Sequence, residues 1–262
     1  MILTVPKIHL SRLLEKGRQY DLEKEHFHYL KSVLRLKRGS PLILFDETGA
    51  ACDAVIRKLD NEGIRVEITG RRHVPVDGID ITLCQSLPKS NKMDEIVQKA
   101  TELGVRKIVP FLSSRSVPRI DPKGGQAKVT RWRKIALEAS RQCGRADIPE
   151  LVDILTLEDS LDISKEAGCR MIFWEQENQR DIRHVLRDLC DPKTDSFSIV
   201  VGPEGGFTAD EVESAVAAGH VSTTLGGRIL KVETASVAIL AILQYERGIF
   251  SRAPAQGEDH GK

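Results

Sequence analysis

The chain has 262 residues, 40% hydrophobic and 29% charged, with a formal net charge of +1. That fits a soluble globular protein of one large or two small domains and excludes a chain that is basic throughout. No apolar run approaches the ~20 residues that span a bilayer, and MILTVPKIHLSRLLEKG lacks a basic segment followed by a long apolar core and cleavage site, so a cytoplasmic protein without a membrane segment is expected.

The first part of the chain, residues 1–74, opens with a helical stretch from Glu25 to Leu36. Three short strands follow, PLILFD, ACDAVIRKL and IRVEITG, joined by the turn-like ETG and DNEG. Closely spaced strands with tight turns predict a small barrel or sandwich. From about Val76 strands and helices alternate. DITLCQSL is a strand, Met93, Ile96, Val97, Ala100 and Leu103 recur at helical spacing up to Gly104, and KIVPFL is the next strand. This βαβ pattern predicts an α/β domain with a parallel sheet over residues 75–250. A helix is expected from Thr130 to about Cys143, then strand CRMIFWE, helix IRHVLRDL and strand SFSIVVG. The final helix, SVAILAILQYERG, is apolar almost all round, as in a helix buried in a core or against another subunit. The tail from residue 251 to 262 is polar and is expected to be disordered.

The five cysteines, Cys52, Cys84, Cys143, Cys169 and Cys190, are scattered, with no CxxC pair. This argues against a disulfide framework and a structural zinc site. Cys143 is read as a buried helix cysteine rather than a nucleophile. No metal site is expected: His26 and His28 lie close together, but no acidic or cysteine cluster joins them. Between Arg106 and Arg145 eleven Lys and Arg face only Asp121 and Glu138. Such a local excess marks either a polyanion partner or a solvated helix face.

Two glycine loops carry the chemistry. In SIVVGPEGGFTADEVESA a strand stops at Gly202 and a helix opens where Thr208 and Glu211 have capping-box spacing. There is no GxxxxGK[ST], and glycines at 202, 205 and 206 miss the dinucleotide spacing. Glu204 opposes a bound phosphate, so the loop suits close backbone approach to a ligand that is not strongly anionic. The bland alternative is a tight turn with Glu204 as a helix cap. The second loop, LGGRILKVETA, places Gly226 and Gly227 after a short strand, then Arg228, Lys231 and Glu233 before a helix that Thr234 could cap. The two loops can form neighbouring walls of one pocket.

VGPEGGFTADEVE with LGGRILKVETA resembles the RsmE family of methyltransferases, and the likeness continues through KSNKMDEIVQKATELGV and RWRKIALEASRQCGRADIPE. The resemblance implies a SPOUT (α/β-knot) domain with a deep trefoil knot, and an N-terminal PUA-like RNA-binding β-barrel. It implies S-adenosylmethionine as cofactor, N3 of a uridine in 16S ribosomal RNA of the small subunit as target, and a homodimer. Carried over by motif, the cofactor would meet Trp174 and Glu175 at the end of CRMIFWE. It would also meet Val201, Gly202, Pro203, Glu204 and Gly205 in the first loop, and Leu225, Gly226, Arg228, Ile229, Leu230 and Thr234 in and after the second. A sulfonium tolerates the carboxylate that would repel phosphate. Uridine N3 must lose its proton to act as nucleophile, and Arg228 is the leading residue to favour the resulting anion. The proton acceptor is open: Glu204 and Glu233 are candidates, and each is equally a candidate helix cap.

Lys89, Lys92 and Arg145 would hold RNA phosphates. In HFHYLKSVLRLKRG, His28 and Arg35 would face RNA. The family's early arginine beside aromatic residues has no secure counterpart in MILTVPKIHLSR, where Arg12 is nearest. Lys231 stands where arginine is common, and Pro118 interrupts SRSVPRID. Two other functions fit the pattern: a non-catalytic RNA-binding or assembly factor, and a methyltransferase of the same fold acting on transfer RNA.

Overall fold

The computed structural model of this chain describes residues 5–10, 12–46, 51–60, 63–72, 78–116, 122–145 and 147–251. It divides into two compact units, residues 1–76 with 140–148 and residues 77–139 with 149–262.

The first unit contains β1 (Lys7–His9), β2 (Gln19–Leu22), α1 (Lys24–His28), β3 (Pro41–Phe45), β4 (Ala51–Leu59) and β5 (Ile64–Arg72). They form one five-stranded sheet in the order β1-β3-β4-β5-β2. Period-two alternation decides its faces: Ile64, Val66 and Ile68 are buried while Arg65 points to solvent. Leu14, Leu30, Leu42, Leu44 and Ile56 complete that core. On the outer face Arg57 pairs with Glu67 at 2.9 Å and Arg65 with Asp21 at 2.7 Å. Strands β1 and β2 are too short to stand out in the sequence. The expected helix over Glu25–Leu36 is shorter: α1 passes into wider turns over Tyr29–Val33, and the chain leaves at Arg35, whose φ is 52°. The ETG turn and the middle of DNEG lie outside the described residues.

The second unit is the parallel α/β part. In chain order it runs β6 (Asp80–Ser86), α2 (Lys92–Glu102), β7 (Lys107–Leu112), α3 (Pro122–Cys143), β8 (Glu150–Leu151), β9 (Leu155–Thr156), α4 (Leu157–Ile163) and β10 (Cys169–Phe173). It continues with α5 (Ile182–His184), β11 (Ser196–Val201), α6 (Ala209–Ala217), β12 (Val221–Thr223) and α7 (Val232–Glu246). The last turn of α3, from Ser140, belongs with the first unit. The sheet order is β12-β10-β11-β6-β7-β8, with β9 beside β7, and every pairing is parallel. Ile81, Leu83, Ile172, Ile199 and Val200 are fully buried, the continuous apolar pattern of strands covered on both faces. Helix α7 packs on α2, with Gln244 donating to the Leu103 carbonyl at 2.7 Å.

Several expectations need correction. Helix α3 begins at Pro122, a full two turns before Thr130. Cys143, at its last residue, is exposed rather than buried. Cys169 and Cys190 form a disulfide, Cα to Cα 5.4 Å. The segment after β10 turns back along the sheet, so its end returns to the strand's start, a closeness that linear spacing does not display. The polar tail from residue 252 on lies outside the described residues.

Candidate active site

Three neighbouring parallel strands end level with one another. Phe173, the last residue of β10, pairs with Val201 of β11 on one side and Thr223 of β12 on the other. Trp174, Gly202 and Thr224 therefore leave the sheet side by side. Open α/β sheets bind ligands beyond the carboxyl ends of their strands, and all three segments read from the sequence as cofactor walls emerge at this edge.

The first loop is fixed from several sides. The Gly206 amide donates to the Pro203 carbonyl at 2.9 Å, closing a tight turn. Gly206 has φ 66°, and a Cβ there would overlap the Glu175 carboxylate, which brings the β10 exit against this loop. Arg115 donates to the Gly205 carbonyl at 2.9 Å. A Cβ on Gly202 would press on the Phe207 ring at 3.1 Å. That ring is 1% exposed and stacks on Phe111, centroids 6.4 Å apart. Thr208 and Glu211 form the expected capping box at the start of α6. Glu211 also accepts from the Ser114 amide at 2.7 Å, a contact with no signal in the sequence. Ser86, Ser113 and Ser116 interlock beneath, their hydroxyls 2.9–3.1 Å apart.

Glu204 does not cap α6, because Thr208 does. Its carboxylate accepts from the Lys89 amide at 3.1 and 3.2 Å and pairs with Lys92 at 2.8 Å. Burial acts to raise its pKa, but the Lys92 hydrogen bond, the backbone amides and the Lys92 charge outweigh that and hold it below the usual carboxylate value. The hydrogen bond to Glu204 in turn pushes Lys92 up. Lys92 also stands 3.5 Å from Glu233. Lys89 offers its backbone to Glu204 while its side chain is exposed.

The second loop is much less supported. Gly226 has φ 97°, and nothing lies within 4 Å of where its Cβ, or that of Gly227, would be. Thr224 Oγ1 accepts from the Gly226 amide at 3.2 Å. Arg228 is exposed and has no ion pair among the described residues; Ile229 is 90% exposed; Leu225 and Leu230 are half-buried. Thr234 does not cap α7. The helix starts at Val232 with Lys231 at the cap position and no side-chain cap, so Thr234 falls within its first turn.

The site offers what an adenosyl sulfonium group needs. Glycines leave the second loop open, Ile229 projects an apolar surface, and the Glu204 and Glu233 carboxylates stand nearby, with Lys92 between them. One buried polar atom here, Trp174 Nε1, has no hydrogen-bond partner among the described residues. Beyond Trp174 and Glu175 the chain turns at Glu177. Glu177 accepts from the Gln179 amide at 2.8 Å and pairs with Arg180 at 3.0 Å, an i,i+3 pair visible in ENQR.

The other expected RNA contacts lie in the first unit. Arg145 is held by Asp147 at 2.7 Å and its side chain is 11% exposed. Arg12 stands over the Tyr20 ring, 6.0 Å from its centroid, and His28 and Arg35 are exposed. The basic stretch of 106–145 is partly neutralised in space: Lys107 meets Glu150, Arg131 meets Asp94, and Arg133 meets Asp153. Those acids lie outside the stretch, so the linear count overstates its free charge. Pro118 lies outside the described residues.

Comparison with known proteins places this geometry. A profile described as an RNA methyltransferase domain matches residues 76–244, and one described as an RNA methyltransferase PUA domain matches residues 22–69. Ribosomal RNA small subunit methyltransferase E of Bacillus subtilis is 30% identical over 239 residues, 89% of this chain and 92% of its own. The Aquifex aeolicus protein of the same name is 34% identical over 222 residues, 84% of this chain and 90% of its own. The crystal structure of the Neisseria gonorrhoeae enzyme of that name, bound to S-adenosyl methionine, superimposes with a TM-score of 0.74 at 31% identity, covering 92% of this chain and 98% of that one. With an N-terminal PUA domain followed in the chain by a parallel α/β methyltransferase domain, the chain belongs to the ribosomal RNA small subunit methyltransferase E family.

Proposed function

We propose that this protein is an S-adenosylmethionine-dependent methyltransferase that modifies N3 of a uridine in 16S ribosomal RNA of the small subunit. The observation that carries this reading is the level exit of three strands into the Trp174, Gly202–Gly206 and Leu225–Leu230 segments. The family's small-subunit relatives supply the substrate class.

When bound, the cofactor supplies a methyl group on a sulfonium sulfur. The chain's own residues then have three tasks. The first loop offers fixed backbone groups, the second offers Ile229 and Leu230 as apolar cover, and Arg228 favours the uridine anion once N3 has lost its proton. Arg228 suits that role because it is exposed beside the loop and has no carboxylate partner among the described residues. Exposed Lys89 is the first choice for an RNA phosphate at this edge.

The finer organisation belongs to the same proposal: an RNA-binding domain over residues 1–74, a catalytic domain over 75–250 closed by a trefoil knot, a homodimer using α7, and action in the cytoplasm. Half-buried Val237, Ala238, Ala241 and Ile242 on α7, with exposed Tyr245, are the surface such a dimer would use. No helix among the described residues is long and apolar enough to cross a membrane.

The test is nucleoside mass spectrometry of 16S RNA from a strain lacking the gene, before and after its restoration. The expected result is 3-methyluridine absent in the first and recovered in the second. Unchanged 16S RNA with a lost transfer-RNA methyl group would instead assign the activity to tRNA. No lost methyl group in either RNA would favour a non-catalytic RNA-binding factor.

A further inference from the structure

Lys92 is the first residue of α2, where the positive end of the helix dipole disfavours a cation. It is nonetheless held there by two carboxylates from distant parts of the chain. Glu204 comes from the middle of the first loop and Glu233 from the first turn of α7, directly after the second loop. The side chains of Lys92, Glu204 and Glu233 are 32%, 23% and 15% exposed, so their mutual attraction is less screened than in a surface pair. The Lys89 amide binds the same Glu204 carboxylate and fixes its direction. Two carboxylates against one ammonium leave the cluster negative, the sign that suits a neighbouring sulfonium.

Resting on the reading of this edge as an S-adenosylmethionine pocket, we propose that Lys92 is a positioning residue. It forms an ionic strut that joins the first loop to the base of the second and sets the spacing of the two walls around the cofactor. Glu204 is engaged in that strut rather than acting as the acceptor of the uridine N3 proton. A carboxylate held by an ammonium and a backbone amide is a weaker base than a free one, because protonating it works against both contacts. Lys92, which the sequence suggests as a phosphate contact, turns inward to these acids.

The experiment measures S-adenosylmethionine affinity by calorimetry without RNA, and RNA affinity against salt, for wild type, Lys92→Met, Lys92→Arg, Glu204→Gln and the Met/Gln double variant. The strut predicts that Lys92→Met weakens cofactor binding about tenfold and that Lys92→Arg recovers most of it. The two single effects should overlap in the double variant instead of adding. The salt slope of RNA binding should stay unchanged. Glu204→Gln should raise KM for the cofactor while kcat at saturation stays within a few-fold, with the same pH profile. Wild-type cofactor affinity in Lys92→Met, together with a salt slope reduced by about one, would make Lys92 a phosphate contact and overturn the strut. A collapse of kcat in Glu204→Gln at saturating cofactor, with a lost basic limb in the pH profile, would restore Glu204 as the base. Should Lys92→Met not fold, Glu233→Gln removes one end of the strut and carries the same comparison. A wild-type protein that binds no S-adenosylmethionine would sink the pocket itself, an outcome distinct from failure of the strut.

Discussion

The two glycine loops begin from the same edge of one sheet and are built in opposite ways. The first is tied to its surroundings through Glu204, Gly205, Gly206 and Phe207, and ends in a complete capping box. The second has an open space around Gly226 and Gly227 and an almost fully exposed Ile229. Glycine does different work in each. At Gly202, Gly205 and Gly206 its missing side chain lets neighbouring groups approach; at Gly226 it permits a left-handed turn with nothing against it. In the proposed pocket the lightly supported wall is the one expected to gain order from the ligand, because it has the most contacts left to make.

Substitutions should separate the two walls. The largest expected effect is Phe207→Ala, which empties the core under the first loop and should cost about 3–5 kcal/mol in a urea melt and abolish cofactor binding. Next is the acid dependence of the strand that carries the second wall. His220, buried just before β12, has its pKa lowered from 6.5 to about 4, first by burial and then by the Arg170 charge. The folded protein keeps this imidazole neutral while the unfolded chain takes up a proton below about 6.5. Stability should therefore be full above that pH and fall progressively as pH drops toward 4, by up to ~3 kcal/mol. Parallel urea melts of wild type and His220→Gln check this, and the variant should show a flatter profile.

Smaller effects test the loops directly. Gly206→Ala meets both a left-handed backbone and the Glu175 carboxylate, and should cost about 1–2 kcal/mol. Gly227→Ala meets open space and should change stability by less than ~0.5 kcal/mol; equal costs at the two positions would erase the contrast. Smallest in stability is Ile229→Ala, which leaves the melting temperature unchanged because the side chain is already in solvent. It should weaken S-adenosylmethionine binding about threefold to tenfold if that side chain covers the ligand.

Much of this was legible in the sequence for physical reasons. The alternation of strands with helical spacing yields the parallel sheet, and Thr208 with Glu211 announces the box because both partners lie within one helical turn. Long-range pairings left no such mark. Lys92 meeting Glu204 and Glu233, Ser114 meeting Glu211, and Cys169 meeting Cys190 all depend on where the chain returns, which local patterns do not encode. Thr234 misleads for a related reason. A threonine before an apolar run looks like a cap, yet α7 starts at Val232, where Val232 is buried, and its first turn takes in Thr234. The basic stretch of 106–145 shows the same limit, since three of its cations meet acids from elsewhere in the chain.

The most direct measurement is hydrogen exchange of the intact protein with and without S-adenosylmethionine, read at residues 202–207 and 225–231. The result expected is fast exchange in the second loop of the free protein, strong protection there on cofactor binding, and a smaller gain in the first loop, where the Gly206 amide is already hydrogen-bonded. Binding that leaves residues 225–231 as exposed as before, or protects a different edge of the sheet, would contradict the assignment of the two loops as walls of one cofactor pocket.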